Sequence, residues 1–297
     1  ITLHEASHVE LQDLTLEATR SHGIRIRNGE HNVIAGCKIR NVGNWAVSID
    51  GGVDHRVAAC EICHTGDGGI DLKGGNRKTL EPANHCADNN HIHHYARWSR
   101  SYMAGIKAGG VGHTVANNRI HDAPHNAVLY TGNEITVKRN EIYRVCMESG
   151  DVGAIYTGRD YTFRGNAILH NFIHHIGGVD AWSSAIYMDD AVSGHEIRGN
   201  VVWGGDGVWL GGGCDTVIDN NIFVECRHGV SVDARGRELS WRPMIRDTMG
   251  ERLRAMNWRA PPYSTRYPAL AALAPYYEED NGVPPFNNRI TRNIAWN

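Results

Sequence analysis

A short motif recurs along this chain and constrains its fold more than any other feature. Each copy opens with Gly or Ala, continues with Ile or Val, and then alternates two kinds of side chain over a few positions. The copies begin at Gly23, Ala46, Gly69, Gly105, Ala127, Ala154, Ala185, Gly207 and Gly229. A recurring unit of roughly 21–31 residues indicates a solenoid, in which each unit buries its apolar face only by stacking on its neighbours.

A second signature follows most copies, in which an Asn stands two residues before Ile or a similar residue. The slot is occupied by Cys37, Cys60, Asn90, Asn118, Asn140, Asn171, Asn200, Asn221 and Asn293. We expect these Asn residues to lie at one bend of the solenoid, because Asn tolerates the left-handed conformation that such a bend needs. Stacked coils would then let each amide bond to the same amide of the next coil, which predicts a buried Asn ladder.

The periodicity within one unit indicates β-strands rather than helices. Apolar residues recur at every second position over four or five residues, and Gly, Asn and Asp interrupt the runs. Within residues 127–146 the inward set is Val128, Tyr130, Ile135, Val137, Ile142 and Val145. The pattern predicts three short strands per unit and an all-β fold, a right-handed parallel β-helix with coils ~4.8 Å apart. One domain is expected to span residues 1–297.

One segment interrupts the repeat, at about residues 237–286. Residues 244–257 have helical character, with Met249, Leu253 and Met256 on one side. A long excursion from a solenoid is usually functional or a cap. Two interpretations stay open for this insertion: a helical cover on the flank of the β-helix, or a lid whose Trp and Tyr rings stack on sugars.

Composition limits the possible partners. The net charge of −3 argues against nucleic acid, and no apolar run is long enough for a transmembrane helix. The chain starts at Ile1 within the repeat pattern and without a signal peptide, so we expect a mature, shortened or partial chain of a secreted or periplasmic protein, and a monomer. Seven Cys cannot all pair; for Cys37 and Cys60 stacked thiols are preferred to a disulfide.

Alignment of the repeated strands places outward residues in two rows. The first row reads Ser48, Asp71, Lys107, Leu129, Tyr156, Tyr187, Trp209 and Ser231, and the second Asp50, Lys73, Gly109, Thr131, Gly158, Asp189, Gly211 and Asp233. Aromatic rings beside Gly suggest a shallow groove that binds a polysaccharide. The alternative is a cross-strand aromatic stack that only stabilises the sheet.

Carboxylates gather near the central coils. Asp151 lies in the turn before the sixth repeated strand, and Asp189 and Asp190 end the seventh. Stacked coils would bring such groups within the ~5–10 Å that glycoside hydrolysis requires. We therefore predict that Asp151 and one of the two neighbouring Asp residues are catalytic. Asp160 is expected to cap a turn instead.

In several repeat units the third predicted strand ends in a histidine. His121 and His125 border the turn that leads into the expected groove, where they could hold sugar hydroxyls; an exposed polar stack is the alternative. The run 91–94 contains three His, but strand alternation places His94 opposite the other two. No metal and no other cofactor is therefore expected. The candidate substrate contacts are His121, His125, Tyr130, Tyr156, Arg159, Tyr187, Trp209 and Lys107; alternation itself points Tyr130 inward.

Three segments resemble those of a known family. Residues 120–125 (IHDAPH), 150–160 (GDVGAIYTGRD) and 187–190 (YMDD) look like segments of bacterial right-handed β-helix proteins related to glycoside hydrolase family 141. The resemblance implies a hydrolase of the α-L-fucosidase or xylanase kind acting on a plant-type polysaccharide or oligosaccharide. It also implies that Asp151 and one of Asp189 or Asp190 form the catalytic pair. Family members usually carry further N-terminal sequence.

Two other functions remain open. A polysaccharide lyase or uronate epimerase would need a base near a neutralised carboxylate, and often Ca²⁺. Lys73 and Lys107 lie on the appropriate face and Arg159 at its edge, but no dense Asp cluster is present for Ca²⁺. The third possibility is a non-catalytic β-helix that binds carbohydrate or acts as an adhesin.

Overall fold

Three parallel sheets wrap around one apolar core and form a right-handed β-helix of ten coils. The structure is a computed structural model that describes residues 1–178 and 182–297. Each coil contributes one strand to each sheet, and every strand pairs with its counterpart in the next coil, ten strands per sheet. The predicted fold class is confirmed.

The strands are short, mostly of three residues in the second and third sheets. The first sheet contains Thr2–His4, Ile24–Arg27, Val47–Asp50, Ile70–Gly74, Ile106–Val111, Val128–Asn133, Val152–Gly158, Ser183–Asp189, Asp206–Gly211 and His228–Asp233. The second contains Glu10–Gln12, Val33–Ala35, Arg56–Ala58, Cys86–Asp88, Thr114–Ala116, Thr136–Lys138, Ala167–Leu169, Glu196–Arg198, Val217–Asp219 and Arg289–Thr291. The third contains Thr15–Glu17, Lys38–Arg40, Glu61–Cys63, His91–His93, Arg119–His121, Glu141–Tyr143, Phe172–His174, Val201–Trp203, Ile222–Val224 and Ile294–Trp296.

The repeated Ile and Val residues stack inside the coils. In the first sheet Ile70 pairs with Ile106, which pairs with Val128, and the row continues through Ile155 and Ile186. All of these side chains have no exposed surface. Burial of one such side chain contributes about 1.5–3 kcal/mol to folding, so the alternation seen in the sequence is the main source of the coil's stability.

The Asn ladder is present. Asn140 shows its repeating unit: its Oδ1 accepts hydrogen bonds from the backbone N–H of Asn118 at 3.0 Å and from the Asn118 amide at 2.9 Å. The Asn140 amide in turn donates to Asn171 and to the carbonyl of Val115. The same bonds link Asn90, Asn118, Asn140, Asn171, Asn200, Asn221 and Asn293.

The prediction that the ladder Asn itself adopts the left-handed conformation is wrong by one position. The ladder Asn is not left-handed; the residue before it has positive φ, as at Asn117, Arg139 and His170. The ladder side chain is selected for its inward hydrogen bonds, whereas the strained backbone position accepts residues as different as Arg and His.

A second internal ladder, which sequence reasoning missed, lies at the bend before the second sheet. His55 Nδ1 accepts from the backbone N–H of Asn32, and His85 Nδ1 accepts from that of His55, each at 3.2 Å. The rings of His55 and His85 stack at 5.0 Å, and those of His85 and His113 at 5.1 Å. These histidines act as buried acceptors in the slot that Asn32 and Asn166 fill elsewhere.

The seven cysteines are free thiols. The Cys37 and Cys60 thiols are buried and donate to backbone carbonyls of neighbouring residues and coils. Burial raises the pKa of the Cys60 thiol to about 12. Both residues therefore behave as small buried groups in the slots that Asn fills in later coils.

The insertion leaves after the first strand of the tenth coil and returns at Arg289. Its helices are Arg235–Arg237, Met244–Met249, Gly250–Ala255, Tyr263–Arg266, Pro268–Leu273 and Ala274–Glu279. Their apolar side chains form a second core against Tyr161, Ala191 and Cys214, which lie in turns at the end of first-sheet strands.

The insertion covers the flank of the β-helix, in agreement with the first of the two interpretations. Three of its aromatic residues are not available to stack on sugars, because Trp258, Tyr263 and Tyr267 are buried in that second core. The Tyr263 hydroxyl donates to Asn133, and Arg266 pairs with Glu134. The lid interpretation is wrong for these rings. Among the described helices, none has the length and apolar character that crossing a lipid bilayer requires.

Candidate functional site

The outward row of the first sheet has the register expected from the sequence. Tyr156 pairs with Leu129 on one side and with Tyr187 on the other, and Tyr187 pairs with Trp209. In the second row Gly158 pairs with Asp189. The aromatic side chains and the carboxylate therefore lie on one face of three consecutive coils.

Six rings follow one another across this face, each within about 5–6 Å of the next. Their order is His125, Tyr102, Tyr156, Tyr187, Trp182 and Trp209. Most neighbouring pairs are edge-to-face, an arrangement that stabilises rings without hiding both of their faces. We call this set the aromatic row.

Two members of the aromatic row were missed by sequence reasoning. Tyr102 comes from the loop before the fourth repeated strand, Ile106–Val111, and is 57% exposed. Trp182 comes just before the seventh strand and contacts both Tyr187 and Trp209. Neither belongs to the repeat, so periodicity gave no signal; the cluster of aromatic residues near the strand starts was the only hint.

Asp189 is held by three donors. The Tyr156 hydroxyl donates to its Oδ2 at 2.7 Å, Arg235 Nη1 to its Oδ1 at 2.7 Å, and the backbone N–H of Asp190 to its Oδ1 at 2.8 Å. Charge-assisted bonds of this kind stabilise the ionised carboxylate. Asp189 is thus fixed in position, and its Oδ2 faces the aromatic row.

Asp190 lies behind Asp189. Arg159 donates to its Oδ2 at 2.7 Å, and Arg235 lies 3.3 Å from its Oδ1. Its side chain is only 2% exposed, against 11% for Asp189. Burial, followed by the charge of Asp189, raises the pKa of Asp190. Asp189 is therefore the better placed of the two to meet a ligand.

Arg235 is the most important site residue that sequence reasoning missed. It joins Asp189, Asp190 and Asp233, and its guanidinium lies 5.0 Å over the Trp241 ring. The residue begins the insertion, 46 positions after Asp189. No local pattern predicts a contact over that separation.

Asp151 lies at the opposite side of the aromatic row. The Tyr187 hydroxyl donates to its Oδ1 at 3.2 Å, and the carboxylate is otherwise exposed. Burial and then the charge of Asp189 raise the pKa of Tyr187. Tyr187 is therefore close to both carboxylates, and their role as a catalytic pair stays a prediction.

The two groove tyrosines are protonated at neutral pH. Burial, followed by the Asp189 charge, also raises the pKa of Tyr156 well above its usual value. The Tyr156 hydroxyl can then donate to Asp189, and the Tyr187 hydroxyl can donate to Asp151. They are unsuited to act as phenolate bases.

Lys107 and Arg159 lie where the sequence predicts. Lys107 is half-buried in the first outward row and pairs with Leu129. Arg159 lies at the edge of the face, where its guanidinium binds Asp190 while more than half of the side chain is exposed. The site's two guanidinium groups thus already face carboxylates of the protein.

His125 belongs to the groove, and His121 does not. His125 stands 5.0 Å from the Tyr102 ring, at one end of the aromatic row. His121 lies on the third sheet, stacked between His93 and Tyr143. Its Nδ1 bonds to Asp122 at 2.6 Å, so its assignment as a groove contact is corrected to the polar stack.

Tyr130 is also corrected. It has no exposed surface, and its hydroxyl lies 3.8 Å from the Met188 sulfur inside the coil. The alternation that points Val128 inward does the same to Tyr130. Asp160 caps a turn as predicted, since its Oδ1 accepts from the backbone N–H and hydroxyl of Thr162.

The acidic cluster does not fit Ca²⁺. Calcium sites need several carboxylate or carbonyl oxygens free to turn toward the ion. Here Asp189, Asp190 and Asp233 are bound by Arg235 or Arg159. The guanidinium groups occupy the position that a cation would take.

The family model for the right handed beta helix region matches residues 1–168 and 104–240. The chain therefore belongs to the right-handed β-helix family. A search of curated proteins found no match.

Solved structures share the fold at low identity. A glycoside hydrolase superimposes with a TM-score of 0.52 at 14% identity, covering 71% of this chain and 37% of the hydrolase, so the chain spans well under half of that protein. An alginate lyase from a Paenibacillus species gives a TM-score of 0.51 at 13% identity, covering 79% of this chain and 90% of the lyase. These likenesses concern the fold alone.

Proposed function

We propose that the protein is a glycoside hydrolase of a plant-type polysaccharide or oligosaccharide, with the aromatic row as its sugar-binding groove. The observation that carries the proposal is the placement of Asp151 and Asp189 beside Tyr187, on a row of rings. An aromatic stack that only stabilises the sheet does not require two carboxylates, one exposed and one bound by Arg235 and Tyr156. The fold shared with a glycoside hydrolase and an alginate lyase agrees with a carbohydrate ligand.

The surroundings of the two carboxylates suggest different roles. Asp151 is exposed and accepts one hydrogen bond from Tyr187, so it is accessible to a bound sugar, and we assign it the role of the general acid at the glycosidic oxygen. Asp189 is held in place by Arg235 and Tyr156. It either takes a proton from the attacking water or attacks the sugar carbon itself; a separation of about 5–5.5 Å favours attack and a larger one favours the water route.

A lyase or epimerase on this fold is the second candidate. It would need a cation to neutralise the substrate's carboxylate and a base to remove a proton. Arg159 and Arg235 are bound to carboxylates of the protein, and both groove tyrosines hold their protons. Lys107 would have to supply the charge alone. The hydrolase therefore fits the charges of the groove better.

The finer assignments rest on the same site. The resemblance to glycoside hydrolase family 141 supports the choice of Asp151 with one of Asp189 or Asp190, and a fucoside or xylan-type substrate. A polymeric substrate would be met outside the cell, so we propose secretion and a monomeric enzyme. A non-catalytic adhesin would keep the aromatic row but would not depend on Asp151.

The test is a screen of aryl glycosides and plant polysaccharides, with product analysis. We expect new reducing ends and no ultraviolet-absorbing unsaturated uronate. On the substrate found, Asp151→Asn should lower kcat by about 10²–10⁴-fold, the usual contribution of a positioned acid. Asp189→Asn should lose at least as much.

Asp50→Asn is the matched control. Asp50 is an exposed carboxylate in the outward row of the third coil, away from the aromatic row, so its loss should leave kcat unchanged. An unsaturated product would replace the hydrolase with the lyase. Full turnover by Asp151→Asn, or sugar binding without any cleavage, would reject the catalytic assignment.

A further inference from the structure

A cluster of metal-binding side chains lies on the third sheet, apart from the groove. The strands Glu61–Cys63 and His91–His93 are neighbours, and Cys63 pairs directly with His93. Ile62 and Ile92 point into the core with no exposed surface. Strand alternation therefore turns the residues on either side of them outward, toward the same patch of surface.

Three of these side chains can reach one point. Ligand atoms of Glu61, Cys63 and His93 all lie within 4.8 Å of one another. A tetrahedral zinc ion with bonds of about 2.0–2.3 Å needs its ligand atoms roughly 3.3–3.8 Å apart. Rotation of the partly exposed Glu61 and His93 side chains closes a gap of that size without moving the strands.

The donor set selects the class of ion. A thiolate, an imidazole and a carboxylate are the three ligand types that zinc combines, and thiolate is a poor ligand for calcium or magnesium. We propose that Glu61, Cys63 and His93 bind a divalent transition metal of the zinc class. The fourth position is left for water or for a small external ligand.

Neighbouring groups prepare the imidazole for this role. The Nδ1 atoms of His93 and His94 lie 2.8 Å apart, so one of them donates to the other. When His93 is the donor, its Nε2 carries the lone pair that a metal needs, and its ring is held in place. Such an outer partner is a regular feature of metal-bound histidines.

The ring of His93 is fixed by its neighbours as well. It stacks on His121 at 5.1 Å with an angle of 4° between the planes, and it lies 4.5 Å from the ring of His91. These ring contacts limit rotation of the imidazole, so little ordering is needed when it binds a metal.

The thiol is also available. Cys63 is a free cysteine with 5% of its surface exposed. The buried thiols of Cys37 and Cys60 donate to carbonyls. Within residues 1–178 and 182–297, no such acceptor lies within hydrogen-bond distance of the Cys63 sulfur.

Two cations compete with the metal. Lys38 Nζ lies 2.9 Å from Glu61 Oε2. Arg40 pairs with Cys63 along the sheet, but its guanidinium is held by Glu17 at 2.7 Å. A bound metal must displace Lys38, whose side chain is 44% exposed and can turn into water. Metal binding would therefore clip the third and fourth coils together.

The test uses the whole protein, stripped of metal with a chelator. Titration calorimetry with ZnCl₂ at pH 7.5 should show one tight site, and CoCl₂ should produce the near-ultraviolet sulfur-to-cobalt absorption of a thiolate complex. Cys63→Ser should abolish that absorption, and both Cys63→Ser and His93→Gln should weaken zinc binding at least about ten-fold. Glu61→Gln, a half-exposed position, gives a third variant that preserves the fold.

Matched controls separate this site from the chain's many other histidines. Cys86→Ser removes a half-buried thiol on the second sheet, and His174→Gln removes a histidine at the same register of the third sheet three coils later. Both should bind zinc like the parent. The proposal is overturned if the parent binds no zinc at millimolar concentration, or if Cys63→Ser and His93→Gln bind it as tightly as the controls. Circular dichroism on every variant identifies any loss of fold.

Discussion

The hydroxyl of Tyr156 donates a 2.7 Å hydrogen bond to Oδ2 of Asp189, a residue of the next coil. The bond joins the two outward rows of the first sheet, because Tyr156 pairs with Tyr187 while Asp189 pairs with Gly158. It links a ring that can contact a sugar with the carboxylate proposed to act on it. The loss of this one hydroxyl therefore tests the site without removing the ring.

Tyr156→Phe should lower kcat/KM about ten-fold or more on the substrate found by the screen. A hydrogen bond to a charged group contributes about 1.5–3 kcal/mol, and 1.4 kcal/mol corresponds to a factor of ten. Steady-state kinetics measures the change. Tyr143→Phe, on the third sheet, is the control and should retain full activity. An active Tyr156→Phe enzyme would show that Asp189 needs no help from this phenol.

Trp209→Ala should weaken oligosaccharide binding more than it lowers stability. Trp209 is half-exposed at one end of the aromatic row, and its indole N–H donates to Asp233 at 3.1 Å. Loss of one stacking ring costs on the order of 1 kcal/mol, judged from aromatic pairs. Titration calorimetry should show about a five-fold weaker Kd. Trp203→Ala removes an exposed ring of the third sheet and should bind like the parent.

Asn140→Leu should destabilise the fold. The change leaves the backbone N–H of Asn118 and its amide without their acceptor, and it removes the amide that donates to Asn171 Oδ1 and to the Val115 carbonyl. Each buried polar group left without a partner costs about 1–3 kcal/mol. Urea unfolding should show a loss of at least that size. Asn293→Leu, at the open end of the ladder, should cost less; equal midpoints for parent and Asn140→Leu would contradict the ladder's role.

The stacked histidines should make the protein sensitive to acid. Burial, followed by the charges of His113 and His55, lowers the pKa of His85 to about 3 in the folded state, whereas an unfolded His titrates near 6.5. A group whose folded pKa is depressed contributes stability above the unfolded pKa and loses it as pH falls. Stability should therefore decline from about pH 6.5 toward pH 3, as protonation removes the Nδ1 acceptor used by the His55 N–H.

His85→Asn tests the cause of that decline. Asn32 and Asn166 fill the same slot and accept the corresponding backbone N–H through Oδ1. The variant should keep its stability at pH 7 and lose less of it at pH 4.5, as measured by urea midpoints at both pH values. An unchanged pH dependence would place the acid sensitivity elsewhere, for example in the surface carboxylates.

Local pattern determined the fold and the register of the groove. Alternation of apolar residues and the Asn spacing act within one coil and between adjacent coils, so they predicted the three-strand coil and the row of Tyr156, Tyr187 and Trp209. The same alternation placed Tyr130 inside the coil. These features follow from the sequence because parallel stacking repeats one local rule.

Only the tertiary structure decided the contacts that lie outside the repeat. Arg235 reaches Asp189 from the start of the insertion, and Tyr102 joins the aromatic row from a loop. His121 ends a strand of the third sheet, and its ring lies in the polar stack rather than in the groove. Loop paths and side-chain choices at a coil edge depend on packing against distant residues, which no periodicity encodes. The arginine partner of the candidate carboxylates is therefore determined by the fold and not by the motif.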